Sequence, residues 1–168
     1  MSMRIMIDGY NLIATMFPDA LSGDLEAKRE QLSASLSAYK KLRGVKITIV
    51  FDAQGSGRLT EGSFNIKGVS TVFTAKETAD DYLKKASVEF GGGLTIITSD
   101  NDVAGFAEKN GAVAISSEEF ARILENALYY EIKGVTEEDE EDSCGNKKGP
   151  SKRPSKKDRA HSARLKKL

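Results

Sequence analysis

Five short apolar runs, separated mostly by segments of helical spacing, constrain what this chain can fold into more than any other feature. They are residues 4–7 (RIMI), 46–51 (KITIVF), 69–73 (VSTVF), 94–98 (LTIIT) and 113–115 (VAI), and β-branched residues recur through them. Each reads as a buried strand. Between them, Asp24 caps a helix whose Leu25, Leu32, Leu36 and Tyr39 keep a helical spacing until Gly44 stops it. Thr78 opens a second helix with Ala79, Tyr82, Leu83, Ala86 and Phe90 on one face, stopped by Gly91-Gly92-Gly93. A third spans residues 103–109, and Ser116 with Glu119 forms a capping box for a last one to about Lys133. Residues 53–62 are rich in Gly and Ser and read as a loop. Strands alternating with helices imply right-handed crossovers, hence an α/β domain whose central, mostly parallel sheet is flanked by helices.

A chain of 168 residues holds one such domain with a real core. Apolar periodicity ends near Gly134, so residues 1–133 read as the domain and 134–168 as a tail expected to be disordered. The formal net charge of zero hides an asymmetry: residues 1–133 carry 15 Lys and Arg against 18 Asp and Glu. Residues 137–142 are all acidic, and residues 143–168 then hold 10 Lys and Arg against the single acid Asp158. A basic arm on a mildly acidic body suits a polyanionic partner better than a small substrate. The only cysteine, Cys144, and the only histidine, His161, both lie in the tail. That excludes a disulfide framework, a Cys/His zinc site within one chain, and a Ser-His-Asp triad inside the domain. No apolar run reaches the roughly 18–20 residues needed to span a membrane, and no signal-peptide core opens the sequence, so the expected placement is cytoplasmic, without a membrane partner.

The aspartates carry the chemistry. Asp8, Asp52 and Asp100 each follow an expected parallel strand directly or within two residues, and Asp80 and Asp81 fall in the first turn of a helix. The carboxyl ends of parallel strands share one edge, which forms the ligand crevice of an open α/β sheet. Asp8 and Asp100 are therefore expected to meet despite their separation in sequence. Carboxylates packed together repel unless a cation neutralises them. Oxygen ligands without His or Cys favour a hard ion, Mg²⁺ or Mn²⁺, suited to phosphoryl chemistry. Against this stands a plain structural role, because Asp at a strand end is often a helix cap and acids in a first turn answer the helix dipole. Asp102 in particular reads either as a ligand or as a first-turn acid.

Taken together, several blocks resemble a known family. Ile7-Asp8-Gly9-Tyr10-Asn11-Leu12-Ile13 is similar to the D-G-Y-N-[LI]-I opening of NYN domains of the bacterial YacP-like branch. The similarity continues, in the family's order, through Val50-Phe51-Asp52-Ala53, Val72-Phe73-Thr74, Glu77-Thr78-Ala79-Asp80 and Thr98-Ser99-Asp100, covering about residues 4–130. The resemblance implies the PIN-like three-layer fold, related to flap nucleases, and Mg²⁺- or Mn²⁺-dependent endoribonuclease activity. It further implies RNA as substrate, with mRNA cleaved on the ribosome as in the best-understood YacP-like proteins. Matched position by position, Asp8, Asp80 and Asp100 correspond to the family's acidic metal ligands, and Asn11 to the Asn of the opening motif, whose amide could steady a carboxylate or a phosphate. Asp52 matches the acid closing the second strand and could act through water, while Asp81 merely follows the matched Asp80. Ser99 reads as the cap of the next helix or as a member of the metal shell.

Outside those blocks, Arg58 lies on the loop after Asp52, either to grip a phosphate or as a solvated loop residue. Tyr10 could stack on a base but fits a core role beside the first strand better. In the tail, Lys147-Lys148, Lys152-Arg153 and Lys156-Lys157 are spaced by Gly, Pro and Ser, able to contact RNA phosphates or to fold back on the acidic run. With every matched acid inside residues 1–133, the tail is expected to be separable from the chemistry.

Two other enzyme classes fit poorly. A haloacid-dehalogenase-type phosphatase needs a second Asp two residues after the first, where Tyr10 stands, and Asp8-Gly9-Tyr10-Asn11 lacks the G-x-G-x-x-G turn of a dinucleotide site. The remaining alternative is a PIN-like module that binds RNA or the ribosome without cutting, and metal-dependent cleavage by the purified protein separates it from a nuclease.

Overall fold

In the computed structural model, the described residues are 3–18, 24–53, 62–134 and 155–168. Six strands form one sheet: β1 (Arg4–Asp8), β2 (Lys46–Asp52), β3 (Gly62–Ile66), β4 (Val69–Thr74), β5 (Leu94–Ile97) and β6 (Val113–Ile115). Their spatial order is β3-β4-β2-β1-β5-β6, with β3 antiparallel to β4 and every other pairing parallel. The chain builds outward from β1 to β2 and β4, then returns to its other side for β5 and β6. This reversal of strand order at β1 is where an open α/β sheet forms a crevice at its carboxyl edge.

Six helices accompany the sheet among the described residues: α1 (Gly9–Met16), α2 (Leu25–Arg43), α3 (Ala79–Phe90), α4 (Asn101–Lys109), α5 (Ser117–Lys133) and α6 (Lys156–Leu165). Strand residues feed two separate cores. Ile5, Ile7, Ile47, Ile49, Phe51 and Ile97 pack with Leu32, Leu36 and Tyr39 of α2 and Phe120 and Leu124 of α5. Met6, Val50, Leu94 and Ile96 pack on the other face with Leu83 and Ala86 of α3 and Val103 and Ala107 of α4. Alternate residues of one strand thus serve opposite layers, which gives the three-layer sandwich expected of strands covered on both faces.

The helix signals work as read. Asp24 accepts hydrogen bonds from the Glu26 and Ala27 amides, and Gly44 ends α2 at a φ of 64°. Only half of the Ser116 capping box forms: its hydroxyl takes the Glu119 amide, while the Glu119 carboxylate pairs with His161 at 3.1 Å.

Three features were not anticipated. α1 is only eight residues long, too short for periodicity to distinguish. β3 is an edge strand whose three central residues are exposed, so burial leaves little pattern in it. A two-residue hairpin closes it, with Lys67 and Gly68 both at positive φ (52° and 82°), held to α2 by Ser37, whose hydroxyl donates to the Lys67 carbonyl at 2.6 Å.

The third correction concerns the tail, because residues 155–168 are ordered as part of the domain. Ser155 and Asp158 make a full capping box that starts α6. Leu165 and Leu168 join the α2/α5 core, Leu168 being 3% exposed, and the Tyr39 hydroxyl donates to the Leu168 carbonyl. Arg164 donates to the Thr95 hydroxyl at 3.0 Å and the Gly92 carbonyl at 2.7 Å. High charge and proline suggested disorder, yet Leu165 at the end of a capped helix and Leu168 three residues beyond it, together with Arg164, dock this segment. The acidic run 137–142 and Cys144 lie outside the described residues.

Candidate active site at the carboxyl edge of the sheet

Asp8 ends β1, occupies the N-cap position of α1 and is 6% exposed. Its side chain makes no cap hydrogen bond. Instead the Asn11 amide, one helical turn on, donates to Asp8 Oδ2 at 2.5 Å. Asn11 thus steadies a buried carboxylate, one of the two roles its sequence position allowed. Gly9 explains the tightness of this corner, since a Cβ there would lie 2.3 Å from Cε1 of Phe51. Phe51 is itself stacked on Phe73 (centroids 5.5 Å apart) and meets Tyr10 at a tilt (5.0 Å). Gly9→Ala is therefore expected to cost about 1–3 kcal/mol by overpacking. Denaturant unfolding with an unchanged m-value checks this, and a midpoint equal to that of the unaltered protein would contradict the close fit.

Asp100 arrives from β5 and caps α4, its Oδ1 accepting from the Asp102 amide at 2.8 Å and the Val103 amide at 3.3 Å. The Thr98 hydroxyl accepts from the Asp100 amide at 3.1 Å. Ser99, read as a possible cap, does not cap α4; Asp100 does. Asp80 comes from a third element, the first turn of α3, which Thr78 caps.

Electrostatics tie these three acids together. Burial is the main cause pushing the Asp8 carboxyl above its ordinary value; the Asn11 hydrogen bonds oppose it, and the charges of Asp80 and Asp100 add to the rise. Asp80 is likewise raised, first by burial and then by Asp100, while Lys84 counteracts. Carboxylates from β1, α3 and the β5–α4 junction therefore act on one another's charge; the strand-end argument anticipated Asp8 and Asp100, and Asp80 joins them from a helix. Among the described residues, no group of three His, Cys, Asp or Glu side chains already stands in a metal-binding arrangement. The donor set nevertheless fits a hard divalent cation: it is all oxygen, like-charged and partly desolvated. Asp8 Oδ2 takes the Asn11 amide, and Asp100 uses Oδ1 for its helix.

The weaker candidates sit around this centre. Asp52 closes β2 two residues beyond Val50, the register partner of Asp8. Asp102 is bound at 2.5 Å to Lys84, which holds its carboxyl below the usual range, and its side chain is 81% exposed. Asp81 lines the groove beside Lys84 and Lys85. Tyr10 has the core role, its hydroxyl accepting from Arg29 Nη1 at 3.3 Å. Arg58, Lys147, Lys148, Lys152 and Arg153 lie outside the described residues.

Lys156 and Lys157 are not brought to the aspartates. They line a 580 Å³ cavity beside Glu108 and Lys109, at the opposite end of α4 from Asp100, and Lys157 pairs with Glu108 at 2.7 Å. His161 belongs to the folded part after all, but faces Glu119 and that same cavity.

Two charged residues escaped the sequence reading. Arg29 is 8% exposed and packs about 6 Å from the Phe51 and Phe73 rings, a position its charge disguises. Lys84 was legible, since it follows Asp80 by four residues on a helix, the spacing at which opposite charges meet.

The YacP-like NYN domain family model matches residues 5–167. Among solved structures, Rae1 (YacP) from Bacillus subtilis is similar at 26% identity and a TM-score of 0.58, over 83% of this chain and 84% of that one. A single-substitution variant of the same protein gives 24% identity and a TM-score of 0.62, over 83% and 89% of the two chains. No curated protein sequence matches. The profile match reaches from β1 through the last helix, so α6 lies within the matched region as well as the folded core. A profile spanning nearly all of the sequence, over a fold shared with those structures, means that this chain belongs to the YacP-like NYN family of PIN-like nuclease domains.

Proposed function

We propose that this protein is an endoribonuclease that uses Mg²⁺ or Mn²⁺ to hydrolyse RNA phosphodiesters, with Asp8, Asp80 and Asp100 as metal ligands and Asn11 as positioning residue. The observation that carries the reading is the convergence of three aspartates, from three separate elements, on the crevice where strand order reverses. A bound divalent cation supplies a polarised phosphoryl oxygen and an activated water. Asp8 is buried and held in place by Asn11. Asp100 is fixed by two backbone amides, and Asp80 by a capped helix. Such rigid support is what keeps a catalytic constellation within the narrow tolerance that phosphoryl transfer demands. Asp52, Asp81 and Asp102 form the acidic surround.

The family relationship supports RNA as the substrate class and extends the proposal to mRNA on the ribosome in the cytoplasm. No described helix is long and apolar enough to cross a membrane. The direct experiment incubates structured and unstructured RNAs with the protein, with and without Mn²⁺, against Asp8→Asn. Absence of metal-dependent cleavage would leave a non-cutting RNA-binding module.

Metal binding has its own readout. An ion bound by the native carboxylates and scarcely by the unfolded chain stabilises the fold, by about 2.7 kcal/mol at a hundred times its Kd. Mn²⁺ is therefore expected to raise Tm, and Asp8→Asn/Asp100→Asn to abolish the rise. An equal rise in the double variant would place binding elsewhere, for instance at residues 137–142.

A further inference from the structure

A slot beside the aspartates has no part in the mechanism above. Between α3 and α4 lies a 240 Å³ cavity walled by Glu77, Asp81, Lys84, Lys85, Val88 and Phe106. Its apolar walls face solvent, with Val88 61% and Phe106 38% exposed. Its rim is charged: Lys84 reaches from α3 to Asp102 on α4 at 2.5 Å, and Lys85 pairs with Glu77 at 2.6 Å. The Lys84 ammonium also stands 5.8 Å from the centre of the Phe106 ring. One side chain therefore spans from the edge of the acid cluster to the aromatic wall.

We propose that this slot is a nucleobase subsite, in which Phe106 stacks on the base of a nucleotide adjoining the scissile bond while Lys84 and Lys85 neutralise its phosphates. The proposal rests on the nuclease reading of Asp8, Asp80 and Asp100. A nucleotide carries base and phosphate on either side of one sugar, and the slot offers an aromatic surface and ammonium groups side by side. Lys84 and Lys85 each face a carboxylate across a surface ion pair with one half-buried partner, a kind of contact that contributes little, so a phosphate competes for either ammonium. Stacking needs an uncovered base face, so the slot takes single-stranded RNA, with little preference among bases because each has a π-face.

The test binds single-stranded oligoribonucleotides carrying 2-aminopurine at successive positions to the Asp8→Asn protein, which keeps the strand whole. Stacking is expected to quench fluorescence at one or two adjacent positions. Adding Phe106→Ala should abolish that quench and weaken Kd about tenfold, the loss of a ~1.4 kcal/mol contact. Phe106→Tyr should retain both, as should Phe64→Ala, a similarly exposed aromatic on β3. Circular dichroism checks that each variant is folded. Quench and affinity that survive Phe106→Ala overturn the subsite. Cleavage by the unaltered protein with Mn²⁺ is scored in parallel. Cleavage without any quench removes the subsite alone, whereas a Phe106-dependent quench without cleavage removes the nuclease reading and leaves a base-binding slot.

Discussion

Asp8→Asn is expected to lower RNA cleavage at least a hundredfold and, in the absence of divalent ions, to raise the melting temperature. The first effect follows from removing charge stabilisation that the transition state needs, a loss commonly worth several kcal/mol. The second follows from linkage. The folded state holds the Asp8 carboxyl above its ordinary value of 3.8, chiefly by burial and with Asp80 and Asp100 adding repulsion. A raised carboxyl binds protons more tightly in the folded than in the unfolded chain. Metal-free stability therefore falls as pH rises from the ordinary value through the raised one, and the cost is fully present above it. An amide at position 8 has no charge to desolvate, so the Tm gain over the unaltered protein should be larger at pH 7 than near pH 3. Asp80→Asn should follow the same pattern, because Asp80 is raised too. Asp100→Asn keeps a side chain that also caps helices well, so its fold is expected to persist while cleavage is lost. Undiminished cleavage by all three variants would overturn the assignment of the site.

Truncation after Gly134 is expected to lower Tm by roughly 5–10 °C, at the ~2–4 °C per kcal/mol typical of a chain this size. It uncovers the core beneath Leu165 and Leu168 and leaves the buried Thr95 hydroxyl and Tyr39 without α6. Leu168→Ala separates packing from charge, since removing a buried leucine side chain costs about 2 kcal/mol or more. Neutralising Lys156 and Lys157 instead should hardly change Tm, because Lys157 makes only a largely exposed pair with Glu108. A truncated chain as stable as the whole would mean that α6 merely rests on the domain. α6 itself brings no side chain to Asp8, Asp80 or Asp100, so Leu168→Ala is expected to act on stability and leave the chemistry at those groups alone.

What could be read in advance was whatever rests on repetition. Strands β1, β2, β4, β5 and β6 are dense apolar runs, and helices α2 to α5 carry several turns of periodicity or a cap, so local composition specifies them. The meeting of Asp8 and Asp100 was likewise legible, because parallel strands share an edge whatever their distance in sequence. Asp80 needed the family motif, since its place in a helix says nothing about which edge that helix approaches. The unread parts depend on few residues or on distant partners. β3 takes its conformation from pairing with β4 rather than from its own burial, and α6 is docked by two leucines amid ten basic residues in 143–168. Arg29 hides under aromatic rings supplied by β2 and β4, which no local window reveals.

The opposition of the two sheet edges has a consequence for how this protein tolerates change. Arg164 grips Thr95 and Gly92 where β5 begins, whereas Asp100 lies past the point where it ends. Two strand steps of roughly 3.3 Å each separate Thr95 from Ile97, and Asp100 lies three residues further along. Free-energy changes at sites that share no partner and stand more than about 7–10 Å apart add with little coupling. Substitutions that tighten the α6 contacts can therefore accumulate as a reserve against costs incurred at the crevice. Variants that reshape substrate choice near Lys84 and Phe106 are then best sought in a background already stabilised at the opposite edge.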